Sequence, residues 1–172
     1  MADKEPAHFN TIFIVDDEKM FQEGAKGYLS SKHKEAAIHC YGSGEDAIAN
    51  LSLKPDLVVL DHHLAPEGSN AMNGLQTLQK MKEEKKTPYV VILTAEDNVQ
   101  VANDTMEHGA FDYIVKGDTA FAKLDINCAH ILKQIGDARE IEEFKKFRIG
   151  FLAMIAILIA TLYFFTSVYD HS

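Results

Sequence analysis

A doubly wound α/β domain built on a five-stranded parallel sheet is the fold class this 172-residue sequence predicts. Three observations carry it. Short runs of β-branched and other apolar residues recur along the chain, stretches with apolar residues every three or four positions lie between them, and the two patterns alternate strictly. Alternation of strand and helix requires right-handed crossovers, which set the strands parallel and put helices on both faces. Such a sheet opens its ligand crevice at the carboxyl ends of the strands, near the topological switch point.

The elements follow in order. Thr11–Val15 (TIFIV), closed by Asp16-Asp17, reads as a strand buried on both faces. Phe21, Ala25, Tyr28 and Leu29 then share one face of a first helix. Ala37–Tyr41 is the second strand. Ala47, Ile48 and Leu51 mark the second helix, with Ser43 or Gly44 as its cap. Leu57–Leu60 (LVVL) is followed by a helix after Gly74 that carries Leu75, Leu78 and Met81 on one face. Tyr89–Leu93 (YVVIL) leads to a fourth helix marked by Val99, Ala102 and Met106. Phe111–Val115 (FDYIV) leads to a fifth, marked by Leu124, Cys128, Ile131 and Ile135. The expected organisation is a lead over 1–10, the α/β domain over 11–136, a juxtamembrane helix or linker over 137–148, a transmembrane helix over 149–169 and a tail over 170–172.

Charge and cysteine usage narrow the function classes. With 17 Lys+Arg against 26 Asp+Glu and a net charge of −9, the chain lacks the clustered cations that supply affinity for phosphate backbones, so no nucleic acid is expected among its partners. Cys40 and Cys128 stand alone, without the spacing of a disulfide framework or a zinc site. Met1-Ala-Asp-Lys-Glu-Pro has no apolar signal-peptide run, so the body is expected to stay in the cytoplasm.

Polar residues fall at four strand ends: Asp16-Asp17, Asp61, Thr94 and Lys116. Singly, each has a dull explanation. An Asp-Asp pair can cap a helix, Thr94 can start a turn and Lys116 can be a solvated surface cation. In the predicted fold they converge on one crevice, where three carboxylates would raise one another's pKa unless a cation sat among them. Magnesium suits such a site, since it takes oxygen ligands and binds through one or two carboxylates plus phosphate oxygens. Asp61 is the best placed nucleophile towards phosphorus. Lys116 would neutralise a phosphoryl oxygen, and the Thr94 hydroxyl would hydrogen-bond another.

IFIVDDE, DLVVLD, MNGL, VVILTAED and HGAFDYIVKG resemble the successive signatures of response-regulator receiver domains, over roughly Thr11 to Ile135. The resemblance implies the flavodoxin-like receiver fold, with Asp61 as phosphoacceptor and Mg2+ as cofactor. It implies that Asp17 ligates magnesium directly and Asp16 largely through water, while the backbone carbonyl of His63 completes the protein ligands. It also implies a switch in which Tyr113 follows the hydroxyl of Thr94, shifting the surface of the fourth helix, fifth strand and fifth helix. His63 and Glu96 fall where the family tunes loss of the phosphoryl group.

The chain departs from the family in two places. Gly117 follows Lys116 where the family usually has a proline after a cis bond, so a trans peptide is expected. The His62–Asn73 loop is longer than the family norm, as functional or mobile loops beside a site often are. Ligation of a transition metal by the His62 and His63 imidazoles is not expected, because no further His or Cys joins them by motif.

Ile149–Val168 (IGFLAMIAILIATLYFFTSV) contains no charge, and about 20 apolar residues at about 1.5 Å each match a hydrocarbon core of about 30 Å. Lys145, Lys146 and Arg148 precede the run and no Lys or Arg follows it, so the positive-inside rule leaves the domain in the cytoplasm. A single-pass C-terminal anchor is expected, with only Asp170-His171-Ser172 beyond it. The stretch from Gly136 to Arg148 contains no proline, so the fifth helix is expected to run on as a stalk with Gly136 its weak point. The four-three spacing of Leu124, Cys128, Ile131, Ile135 and Ala138 is compatible with a homodimer seam or with packing on the sheet.

The functional expectation is a membrane-tethered regulator that takes a phosphoryl group on Asp61 from a histidine kinase or phosphotransfer protein and signals through a downstream protein. Two rivals stand beside it: a phosphate sink or relay intermediate without its own output, and a scaffold that keeps the fold without phosphorylation.

Overall fold

The computed structural model describes residues 6–64, 70–84, 87–95 and 98–169, with side chains as far as 161. The chain divides into two compact units, Met1–Leu132 and Lys133–Ser172. In the first, β1 (Thr11–Val15), β2 (Ala37–Tyr41), β3 (Leu57–Asp61), β4 (Tyr89–Thr94) and β5 (Asp112–Val115) form one parallel sheet in the order β2-β1-β3-β4-β5. The chain steps outward from β1 to β2, then returns across β1 to lay down the other three. The switch point therefore lies between β1 and β3.

Strand limits follow the sequence closely, with instructive differences at the ends. β3 takes in Asp61, paired with Leu93, and β4 takes in Thr94, paired with Val115. Both polar residues are thus held by the ladder and not by a loop. β5 opens at Asp112, one residue later than the apolar run, although the Phe111 N–H already reaches the Val90 carbonyl of β4 at 2.7 Å.

The helices are α1 (Lys19–Lys32), α2 (Gly44–Ala49), α3 (Gly74–Lys82), α4 (Val99–Glu107) and α5 (Ala120–Tyr169). Ser43 caps α2 by accepting the Asp46 N–H, and Asn73 and Gln76 form a reciprocal capping box at the start of α3. Gly74 is required where it stands. A Cβ there would lie 2.3 Å from the Asp61 carbonyl oxygen, so only glycine lets α3 begin against the end of β3.

Strand residues alternate between two buried faces. Phe13, Val15, Val58, Leu60, Val90 and Ile92 pack with Leu78 and Met81 of α3 and Ala47 of α2. Ile12, Ile14, Val59, Val91 and Leu93 point the other way and are equally buried, as are Ala25 and Leu29 of α1 and Leu124, Cys128 and Ile131 of α5. Each of the buried Val, Leu, Ile, Phe and Met side chains contributes roughly 1.5–3 kcal/mol on burial.

One expectation needs correction here, and one open alternative is decided. In α4 the inward position is Thr105, while Val99 is 73% exposed and Met106 46%. The Thr105 hydroxyl donates to the Val101 and Ala102 carbonyls, both at 2.9 Å, and so can be buried at little cost. In α5, of the two readings of the four-three spacing, the structure supports packing on the sheet: Leu124, Cys128 and Ile131 belong to the core of their own domain.

The second unit is the continuation of α5, helical through Gly136 and on to Tyr169. Ile141, Phe144, Phe147 and Ile149 are more than half exposed on it. Among the described residues no helix is long and apolar enough to cross a membrane. A stretch of 18 residues ending at Thr161 takes in Lys145, Lys146 and Arg148, whose charges resist a hydrocarbon core. The expected span Ile149–Val168 runs past Thr161, and its remainder lies outside the residues whose side chains are described.

A candidate phosphoryl-transfer and metal site at the carboxyl edge

The ends of β1, β3, β4 and β5 bring the predicted polar residues to one edge. Where β1 stops, the Asp16 N–H is taken by the Tyr41 carbonyl at 3.0 Å. The Asp16 carboxylate turns back to accept the Glu18 N–H at 2.9 Å, a short-range contact that starts α1. Gln22, one turn into α1, donates its side-chain amide to the carbonyls of Asp16 and Tyr41 and fixes the β1 corner.

Oxygens of Asp16, Asp17 and Asp61 all lie within 4.8 Å of one another. Asp16 and Asp61 are buried, at 1% and 6% exposure, whereas Asp17 is exposed. Lys116, the residue after β5, reaches across to both buried carboxylates. Its Nζ lies 2.6 Å from Asp16 Oδ2 and 2.9 Å from Asp61 Oδ2, and its backbone N–H is held by the Thr94 carbonyl at 2.6 Å. The Lys116–Gly117 peptide is trans.

One ammonium among three carboxylates leaves the cluster negative. Burial raises the Asp16 carboxyl above the usual carboxylate range, opposed by the hydrogen bonds from Lys116 and the Glu18 N–H, and the neighbouring Asp61 charge pushes it further up. Burial acts on Lys116 towards the neutral amine, but its bonds to Asp16 and Asp61 outweigh this and hold it above the ordinary lysine range. A hard divalent cation fits the oxygen donor set and would relieve the crowding. Asp16, Asp17 and Asp61 are the residues that would hold it.

The remaining predicted residues lie close by. Thr94 is fully buried at the end of β4. His63 donates its backbone N–H to Asp61 Oδ1 at 3.3 Å, and its ring meets that of His62 edge to face at 4.9 Å. Among the described residues, neither imidazole joins a metal-ligating cluster. Tyr113, on β5, is half-buried against the core. Glu96 and the middle of the 62–73 loop lie outside the described residues. Sequence reasoning missed two contributors, Gln22 and Phe21. The Phe21 ring lies 4.4 Å from Lys116 Nζ, and the one available signal was position, a turn into the helix that follows Asp16-Asp17.

The family model for the response regulator receiver domain matches residues 12–124, the stretch that contains every residue of this site. The chain belongs to the response regulator receiver domain family. The receiver is 30% identical over 117 residues to the nitrate/nitrite response regulator protein NarL of Escherichia coli K12, covering 67% of this chain and 50% of NarL. It is 35% identical over 107 residues to the transcriptional regulatory protein SrrA of Staphylococcus aureus, covering 62% of this chain and 42% of SrrA. The chain thus spans about half the length of these curated relatives. Among solved structures, the receiver domain of NtrX from Brucella abortus is similar at 28% identity and a TM-score of 0.61, covering 71% of this chain and 98% of that one. Receiver domains bind Mg2+ at an acidic pocket and act in phosphorylation-dependent signalling with histidine kinases or phosphotransfer proteins. Because SrrA is described as a transcriptional regulator, the expectation of no nucleic-acid partner gains no support from its relatives.

Proposed function

We propose that this receiver accepts a phosphoryl group on Asp61 from a phosphohistidine donor and passes the signal on through protein contacts. The observation that carries this reading is the position of Lys116 Nζ, 2.9 Å from Asp61 and 2.6 Å from Asp16. An Asp61 oxygen would attack phosphorus while the phosphorus–nitrogen bond to the donor imidazole breaks, the imidazole taking up a proton from solvent. Charge on the transferring oxygens would be met by Lys116 and by the Thr94 hydroxyl. Bound Mg2+ would supply Lewis-acid stabilisation of those same oxygens.

The Thr94 hydroxyl, buried in the unphosphorylated protein, would take a phosphoryl oxygen as partner, and Tyr113 would repack beside it. That is an output reading, and it separates this protein from a phosphate sink. Incubating the full chain with a small acyl phosphate and magnesium, then mapping the adduct by mass spectrometry, tests the acceptor. A modification on any residue other than Asp61 refutes it. Partner capture with and without phosphorylation tests the output.

The finer reading is a membrane tether. Its support is the exposure of Ile149, Leu152, Met154, Ile157 and Leu158, each near 60%, next to the basic residues Lys145, Lys146 and Arg148. Anionic headgroups would take the cations and the bilayer the apolar run, with the receiver on the cytoplasmic side. Flotation of the full chain with anionic vesicles, lost on truncation after Arg148, is the expected result. Equal flotation of the truncated protein would remove the tether from the account.

A further inference from the structure

The catalytic lysine of a receiver needs its ammonium held over the acidic pocket, and here the backbone N–H of Lys116 is tied to the Thr94 carbonyl while the residue after it offers no side chain to pack on. Lys116 runs directly into Gly117, where an added Cβ would meet nothing within 4 Å among the described residues. The side chain is nonetheless well enclosed, at 16% exposure. Beside the carboxylates of Asp16 and Asp61, the ring of Phe21 lies against its ammonium.

We propose that Phe21 is a positioning residue for Lys116, its ring face holding the ammonium over the carboxylate pocket by a cation–π contact. The inference rests on the reading of Asp61 as phosphoacceptor. Lys116 Nζ lies 4.4 Å from the Phe21 ring centroid, inside the range in which the negative face of an aromatic ring attracts a cation. The ring is itself clamped. Phe121 of α5 lies nearly parallel to it, 6.1 Å away at an interplanar angle of 13°, and Phe121 in turn stacks on Tyr28 at 4.8 Å. The Tyr28 hydroxyl donates to Asp125 Oδ2 at 2.6 Å, so the far end of the stack is tied from α1 to α5.

The chemistry of the pocket explains why an aromatic partner is useful. The two hydrogen-bond acceptors of Lys116 are Asp16 and Asp61, the same carboxylates that a metal ion and an incoming phosphoryl group would engage. As those oxygens turn to new partners, the lysine loses its present anchors. A phenyl face cannot ligate magnesium or attack phosphorus, so its hold on the ammonium survives that exchange. Phe21 thus keeps Lys116 aimed at the site through the reaction.

The test compares the full-length wild type with Phe21→Leu, Phe21→Tyr and a series in which Phe21 carries one, two or three ring fluorines. The rate of Asp61 phosphorylation is measured across concentrations of acetyl phosphate at fixed magnesium, separating the maximal rate from half-saturation. Phe21→Leu is expected to lower the maximal rate about five- to tenfold, with thermal unfolding little changed, and Phe21→Tyr to restore it. Fluorination preserves shape while draining the ring face, so the rate should fall stepwise along the series. A Leu variant at the wild-type rate, or a flat fluorine series, overturns the proposal, the flat series assigning Phe21 to packing alone. If the wild type takes no phosphoryl group on Asp61, the acceptor reading fails instead. Nuclear relaxation of the Lys116 ε-methylene then decides the positioning separately: greater mobility in Phe21→Leu supports it, and unchanged mobility overturns it.

Discussion

β3 carries a buried carboxylate at each end, and the two are treated in opposite ways. Asp56, just before the strand, is 9% exposed, and its Oδ2 accepts the Asn10 N–H at 2.7 Å, the Asn10 side-chain amide at 3.1 Å and the Thr11 N–H at 3.4 Å. Asp61, at the other end, is 6% exposed and shares one lysine with Asp16, with the Asp17 carboxylate alongside. A buried charge answered by fixed N–H dipoles is finished, and it ties the chain before β1 to the sheet. A buried charge set among like charges is unfinished, and it has capacity left for a cation and for a reaction. Burial alone therefore does not mark a functional acid; the sign of its neighbours does.

The sharpest way to break this comparison is to neutralise each end in turn. Asp61→Asn should abolish labelling by acetyl phosphate while leaving the unfolding midpoint unchanged or slightly raised, since one of three like charges is gone. Residual labelling at the wild-type rate would show that the nucleophile lies elsewhere. Next in size, Asp17→Ala, or the wild type in excess chelator, should slow labelling about a hundredfold without loss of folded structure. Full activity in chelator would remove the metal from the mechanism. Asp56→Ala should do the reverse, costing about 2 kcal/mol in chemical denaturation by orphaning the N–H donors of Asn10 and Thr11, with labelling of the folded fraction intact.

The smallest effect is a tilt with pH in metal-free protein. Asp16 has a folded pKa above its ordinary 3.8, so the folded state binds a proton that the unfolded chain has already released. The resulting penalty is absent below about that pH, grows as pH rises through the raised value and is constant beyond. Asp16→Asn should therefore gain on the wild type from mildly acid towards neutral pH, and a gap that does not widen would contradict the assignment. Lys116 acts at the other extreme. Its folded pKa is raised above 10.5, so its contribution is fully present below that pH and fades as pH climbs through the raised value.

The strands and the carboxyl-edge residues were legible because both depend on short-range rules. Apolar runs of strand length fix β1 to β5, and a polar residue ending such a run has nowhere to go but the sheet edge. Thr105 was not legible, because a hydroxyl that satisfies itself on its own helix looks in sequence like a surface residue. Nor was the contact of Phe21 with Lys116, which depends on how α1 and β5 approach across a separation that no local pattern encodes. The same holds for Asp56, whose partners Asn10 and Thr11 stand at the start of β1, 46 and 45 positions away.

The ladder has a consequence for how the molecule tolerates change in chain length. Asp61 stands opposite Leu93 and Thr94 opposite Val115, so each successive strand delivers its polar residue one step beyond its neighbour's. Side chains alternate faces at every residue, and the register that aims these groups at the crevice is the same one that sends Val58, Leu60, Val90 and Ile92 into the core. Deleting one residue within β3 or β4 would exchange the side chains packed on the two buried faces, misfitting both, in the same move that turned Asp61 or Thr94 away. The reactive edge therefore has no independent coordinate along the chain: insertions and deletions can reshape the loops that surround it, but any that shift its geometry are rejected first as failures to fold.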